Sequence, residues 1–139
     1  MRYHAKVERE GGTFAVVFAD APGCMTQANT KERALGRARE ALDEWLRAHL
    51  ENGMVPPRPK RALKGTEAIG VDPSLAVAVQ LRWARQAAGF SQAQAAKAAG
   101  VSQQQIARLE NPDENPTLAT IKRVATALGA NVEFLIEAR

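Results

Sequence analysis

The sequence predicts an α+β chain: a strand-and-helix segment at the N-terminus, then a proline-rich basic stretch, then an all-helical segment. Three observations carry this. Tyr3, Ala5 and Val7 alternate with His4, Lys6 and Glu8, and Phe14, Val16 and Phe18 alternate likewise, which is the period of half-buried strands. From Thr30 the apolar spacing changes to steps of three and four. Beyond Ser74 that helical spacing recurs in four short runs, each opened by a capping residue. The expected divisions are 1–54, a linker with a short strand at 55–73, and 74–139.

Taken in order, the first strand ends at Gly11-Gly12, a turn pair, and Thr13–Asp20 forms the second. Pro22-Gly23 breaks it, and Cys24–Ala28 has the composition of a short third strand. A helix follows from Thr30 to about Asn52, with Leu35, Ala38, Leu42, Trp45, Leu46 and His49 as its inward stripe. Asn29 or Thr30 caps its start and Gly53 follows its end. Residues 54–66 hold three prolines within four positions, which forbids a helix. Ala68–Val71 reads as one more short strand, closed by Asp72-Pro73.

The helices are expected at Ser74–Ala88, Ser91–Ala99, Ser102–Asn111 and Thr117–Leu128. Val77, Leu81, Ala84 and Ala88 mark the inward stripe of the first, which turns Trp83 away. Leu118, Ile121, Val124, Ala125 and Leu128 mark that of the fourth. The tail Asn131–Ile136 is β-rich and alternates, so it is expected as a dimerisation strand, with a short helix packed on Leu128 as the competing reading.

Composition narrows the function. The net charge of +4 is compatible with nucleic acid. Residues 1–54 are neutral overall, with eight basic and eight acidic side chains, while 55–74 and 75–139 each carry net +2. Cys24 is the single cysteine, which excludes an internal disulfide and fits a reducing compartment. The first residues lack the apolar core of a secretory signal, and no run is long enough to span a bilayer. A cytoplasmic protein is expected.

The segment Phe90–Asn111 has the internal logic of a helix-turn-helix. Ser91 with Gln94 and Ser102 with Gln105 are two capping-box patterns, and Gly100 between them takes positive φ at little cost. Ala96 is small where two helices must cross, and Val101, Ile106 and Leu109 form the shared wedge. The outer face of the third helix is then Gln103, Gln104, Ala107 and Arg108. Glutamine bonds adenine bidentately and arginine bonds guanine, so this face is expected to read bases in a major groove. Gln92, at the start of the preceding helix, is placed for a phosphate. The candidate DNA-binding set is Gln92, Ser102, Gln103, Gln104, Arg108 and Asn111. Operator DNA is the expected partner.

These residues resemble a known family. Residues 75–130 are similar to the helix-turn-helix of lambdoid phage repressors and the wider XRE family, through Gln92, Ala96, Gly100, Val101, Ser102, Ile106, Leu109, Glu110, Asn111, Pro116, Thr117, Leu118 and Ala127-Leu128-Gly129. The resemblance implies a structural ion pair between Arg85 and Glu110, and a homodimer or higher even oligomer. Ala95 and Ala99 depart from it, standing where the family carries larger aliphatics. Phe90 or the rest of the chain must then fill the space.

The N-terminal half resembles HicB-type antitoxins. The resemblance rests on Tyr3–Val7, Gly11-Gly12, Phe14–Phe18, Asp20–Cys24, Thr26-Gln27, Thr30, Ala38–Leu42 and the proline-rich exit at Val55–Pro59. It implies a partial ribonuclease-H-like fold and a partner, a small HicA-like toxin that cleaves mRNA. It further implies that the N-terminal part blocks the toxin while the C-terminal part represses the shared operon. No enzyme activity, cofactor or metal is expected of this chain.

Two other readings compete. A ribonuclease-H-type nuclease needs three or four carboxylates converging on metal. Glu8, Asp20, Glu40 and Asp43 are the candidates, but their spacing fits surface and turn roles better. A repressor with a ligand-sensing N-terminal domain would want aromatic residues around a pocket, and aromatics are only 5% of the chain. Cys24 has no matched histidine and reads as a packed residue. His4 and His49 are too few for zinc. Lys60, Arg61 and Lys64 read as solvated, with phosphate contact the sharper option.

Overall fold

A computed structural model describes residues 1–60 and 62–138. The chain divides into two compact units, Met1–Ala76 and Val77–Arg139. It is α+β, as the alternation and the caps predict.

The first unit is a four-stranded antiparallel sheet of order β3-β2-β1-β4 with one long helix. β1 is Arg2–Glu10 and β2 is Thr13–Phe18, joined in register Glu10↔Thr13. The two-residue turn places Gly11 at φ +61, a conformation that other residues adopt at a cost. β3, Met25–Ala28, pairs with β2, and β4, Glu67–Gly70, pairs with β1 from Arg2↔Gly70 to Ala5↔Glu67. The stretch read as a linker thus supplies an edge strand of the first unit. Pro56 is buried as well.

α1, Lys31–Glu51, is capped by Thr30, whose side chain accepts from the Arg33 N–H. It packs against β2, β3 and β4. Its buried stripe is Ala34, Ala38, Leu42, Leu46 and Leu50, at regular four-residue steps. The expected stripe included Leu35, Trp45 and His49, which are half-buried flanks instead, and it omitted Ala34 and Leu50. Alternation by fours keeps one narrow face on the sheet, and long side chains beside it cover the rim. Tyr3, Ala5, Val16, Phe18 and Ile69 meet this stripe from the sheet side of the core.

α2, Pro73–Ala87, begins in the first unit and continues into the second. The second unit adds α3, Gln92–Ala99, α4, Gln103–Leu109, and α5, Leu118–Ala127. Leu81, Ala95, Ala96, Ala99, Ile106, Leu109, Ile121, Val124, Ala125 and Leu128 form its core. Phe90 is partly buried and packs against this core. Leu118, expected inward, is 58% exposed: it is the first residue of α5, next to the cap, and the helix turns its core face only from Ile121 onward. Trp83 is buried. Residues 130–138 form neither strand nor helix within the chain. Among the described residues the expected C-terminal strand is thus not formed within a single chain.

Candidate nucleic-acid interface

The interface is built by two tight helix starts and a glycine turn. Ser91 caps α3, accepting from Gln94 N–H at 3.1 Å while Gln94 Oε1 accepts from Ser91 N–H at 2.8 Å. Ser102 repeats the arrangement with Gln105, at 3.1 and 2.9 Å. Each box satisfies helix donors that would otherwise be orphaned. Between them Gly100 lies at φ +67, and the Val101 and Gly100 N–H groups return to the Ala96 and Lys97 carbonyls. This crossed pair of bonds is the Schellman ending that a left-handed glycine allows.

The boxes take up Gln94 and Gln105 and leave Gln103 and Gln104 outside them. Gln105 is committed to the cap of its own helix. Gln103, Gln104, Ala107 and Arg108 are all exposed, and at 100° per residue they share an arc of about 140°. Ile106 and Leu109 fill the opposite side and are buried. α4 thus presents two amides and a guanidinium on one face. Ser102 is exposed, but its hydroxyl serves the cap. Gln92 is the first residue of α3 and half-buried. Asn111 lies just past α4, where its side-chain oxygen accepts from the Asp113 N–H at 3.0 Å.

Glu110 ends α4 and is buried, its side chain 2% exposed. Arg85 of α2 meets it bidentately, Nε to Oε2 and Nη2 to Oε1, both at 2.8 Å, and gives Nη1 to the Phe90 carbonyl at 3.0 Å. The bonds to Glu110 hold the Arg85 guanidinium above its ordinary pKa. Arg82 adds a further bond, Nε to Oε1 at 3.1 Å. A buried carboxylate is tolerated only when paired and bonded in this way. Sequence reasoning missed Arg82, although its three-residue spacing from Arg85 puts both on one face of α2. It also missed Arg123 of α5, which bonds the α3–α4 turn and which no local pattern marks.

The residues weighed for other chemistry are dispersed. Glu8 and Glu40 are exposed, Asp20 accepts from the Lys60 N–H at 3.0 Å, and Asp43 from the Asp72 N–H at 3.4 Å. Among the described residues no three His, Cys, Asp or Glu side chains are grouped to hold a metal ion. Burial pushes the Cys24 thiol up to about 11, away from the reactive thiolate. His49 stacks on Trp45 and bonds its carbonyl at 2.8 Å, and His4 lies 3.9 Å from Asp20. Lys60 and Lys64 fall in the first unit, and Arg61 lies outside the described residues. Among the described residues no helix is long and apolar enough to cross a membrane.

Fold and site together define a strand-and-helix protein carrying a DNA-binding helix-turn-helix. Residues 81–135 match the helix-turn-helix family, and residues 3–80 match the HicB-like antitoxin of bacterial toxin–antitoxin systems. The chain is 30% identical over 135 residues to Antitoxin HicB 2 of Photorhabdus laumondii subsp. laumondii, covering 97% of this chain and 96% of the relative. It is 31% identical to Antitoxin HicB 1 of the same bacterium over 139 residues, covering 99% and 88%. The chain belongs to the HicB-like antitoxin family. That is a family of antitoxins, not of enzymes.

Proposed function

We propose that this chain binds and neutralises a HicA-like mRNA-cleaving toxin through its first unit and represses its own operon through its second. The supporting observation is the joining, in one chain, of the antitoxin match over 3–80 to a helix-turn-helix whose α4 leaves Gln103, Gln104 and Arg108 exposed on one face. Those three side chains read bases, while Gln92 and Asn111 lie against the backbone and set register. Ser102 acts through its cap. The test has two arms. Expression of the small reading frame adjacent to this gene should arrest growth, and co-expression of residues 1–76 should relieve the arrest. The full chain should bind duplex from its own upstream region in preference to random duplex. Failure of the first arm removes the toxin, and failure of the second removes autorepression.

The active form is a homodimer or higher even oligomer. One recognition helix reads one half-site, and two-fold pairing sets two of them about 34–36 Å apart or a multiple of that. The tail supports this reading. Val132 packs against the core while Phe134, Leu135 and Ile136 are 57%, 77% and 96% exposed. Antiparallel pairing of two tails supplies each with backbone partners and covers the apolar side chains. Deletion from Ala130 onward should lower the mass in solution. An unchanged mass and unchanged half-site cooperativity would place the contact elsewhere.

A further inference from the structure

The turn between α3 and α4 is held from outside the motif. The Schellman bonds use the Ala96 and Lys97 carbonyls and leave those that follow without backbone donors of their own helix. Arg123, on α5, donates Nε to the Ala99 carbonyl at 2.9 Å and Nη2 to the Gly100 carbonyl at 3.2 Å. The fit is close: a Cβ on Gly100 would stand 3.0 Å from Nη2. The guanidinium also brings positive charge to the negative end of α3. α5 is itself fixed in the core by Ile121, Val124 and Ala125. One planar side chain therefore ties the peptide units that join α3 to the start of α4 onto a third helix.

We propose that Arg123 is a positioning residue for base reading. It touches no base. It holds the Ala99–Ser102 turn so that α4 enters the groove at the attitude at which Gln103, Gln104 and Arg108 meet base edges. This rests on the reading of α4 as the recognition helix. Two bonds from one rigid fork define an orientation, which a lysine at the same position cannot do with a single flexible ammonium. The competing role for an exposed arginine here is a direct phosphate contact, and the two differ in what they do to specificity and salt dependence.

The experiment uses a duplex selected by the wild-type protein from a random pool, with a random duplex of equal length as reference. Affinity for both is measured across a salt series for wild type, Arg123→Lys and Arg123→Gln, with the melting midpoint of each. Positioning predicts that both variants lose preference for the selected duplex by about tenfold, with random-duplex binding and the salt slope of Arg123→Lys unchanged. Full preference in Arg123→Lys overturns the proposal. So does an equal loss on both duplexes in Arg123→Gln, with a salt slope shallower by about one, since that marks a phosphate contact. Should Arg123→Gln fail to fold, Arg123→Lys, which keeps charge and stem, decides alone. A second readout is the Ala99 and Gly100 carbonyl carbon shifts, which should move in Arg123→Lys and stay put if the clamp is absent. If the wild type selects no sequence, base reading by α4 itself fails, and Arg123 has nothing to position.

Discussion

The two units are held together by different means. In the first, the decisive partners are far apart in sequence: β1 pairs with β4, the Tyr3 hydroxyl donates to the Pro57 carbonyl, and Asp20 receives the Lys60 N–H. Its core contains Tyr3, Phe18, Leu42 and Leu46. In the second, each helix start is closed by a residue three positions on, Ser91 by Gln94, Ser102 by Gln105 and Thr117 by Thr120. Alanine is common in both cores, at Ala5, Ala34 and Ala38 in the first and at Ala95, Ala96 and Ala99 in the second, so residue size does not separate them. What separates them is the kind of long-range link. The first unit is closed by strand pairing and bonds to main-chain groups, and the second by a buried carboxylate held by Arg82 and Arg85 and by Arg123 on the α3–α4 turn.

The largest expected effect breaks that comparison outright if it fails. Glu110→Ala takes the carboxylate away from Arg82 and Arg85, whose side chains are 12% and 19% exposed, and loss of one partner of a buried pair costs about 3–5 kcal/mol. Hydrogen exchange should show α2–α5 opening while β1–β4 keep their protection. Arg85→Ala should cost less, because Arg82 still pairs with the carboxylate. Uniform loss of protection in both units, or an unchanged exchange pattern, would contradict the division of roles.

Next comes Tyr3→Phe in the first unit. The ring stays in its buried place against Trp45, and only the hydroxyl goes. An unsatisfied buried acceptor costs about 1–3 kcal/mol, reduced here by whatever solvent reaches the Pro57 carbonyl. A chemical denaturation midpoint is the measure. No shift would mean that the proline-rich stretch is held by Pro56 burial and β4 pairing alone.

These differences also explain what the sequence made legible. Caps and periods are local, so α3, α4 and α5, the Gly100 turn and the exposed glutamine face follow from reading a dozen residues at a time. β4 could be seen as a strand but not as a neighbour of β1, because pairing across some sixty residues leaves no local mark. The same holds for Arg123, whose acceptors are main-chain carbonyls and could belong to any residue type. The tail differs for a related reason: alternation states a preference for strand, and the partner that the tail reading calls for is a second chain.

A smaller effect sharpens the local side of the comparison. Ser102→Ala removes one half of a capping box, worth about 1 kcal/mol. It should fray the first turn of α4, where Gln103 and Gln104 lie, so specific binding should fall more than the melting midpoint does. Ser91→Ala carries the same cap loss on α3 and should lower stability similarly with a smaller penalty in base preference. Equal binding losses would mean that α4 does not read through its N-terminal turn.

The smallest effect is a pH dependence confined to the first unit. Burial raises the pKa of Asp43, and the nearby Asp72 charge adds to that, while the Asp72 N–H, Arg47 and Arg39 oppose it. The folded state then binds the Asp43 proton more tightly than the unfolded chain, whose carboxyl titrates at about 3.9. The stability this protonation contributes is present below that value and is lost as pH rises through the folded pKa. At neutral pH the ionised group is a small burden, screened because the site is partly open to solvent. Asp43→Asn cannot ionise and keeps an oxygen for the Asp72 N–H. Its melting midpoint should exceed that of the wild type slightly at about pH 7, and the advantage should vanish by about pH 3. The loss of attraction to Arg47 and Arg39 works against this gain and sets its ceiling. A midpoint difference that does not change with pH, or that favours the wild type more as pH rises, would show that those arginines outweigh burial.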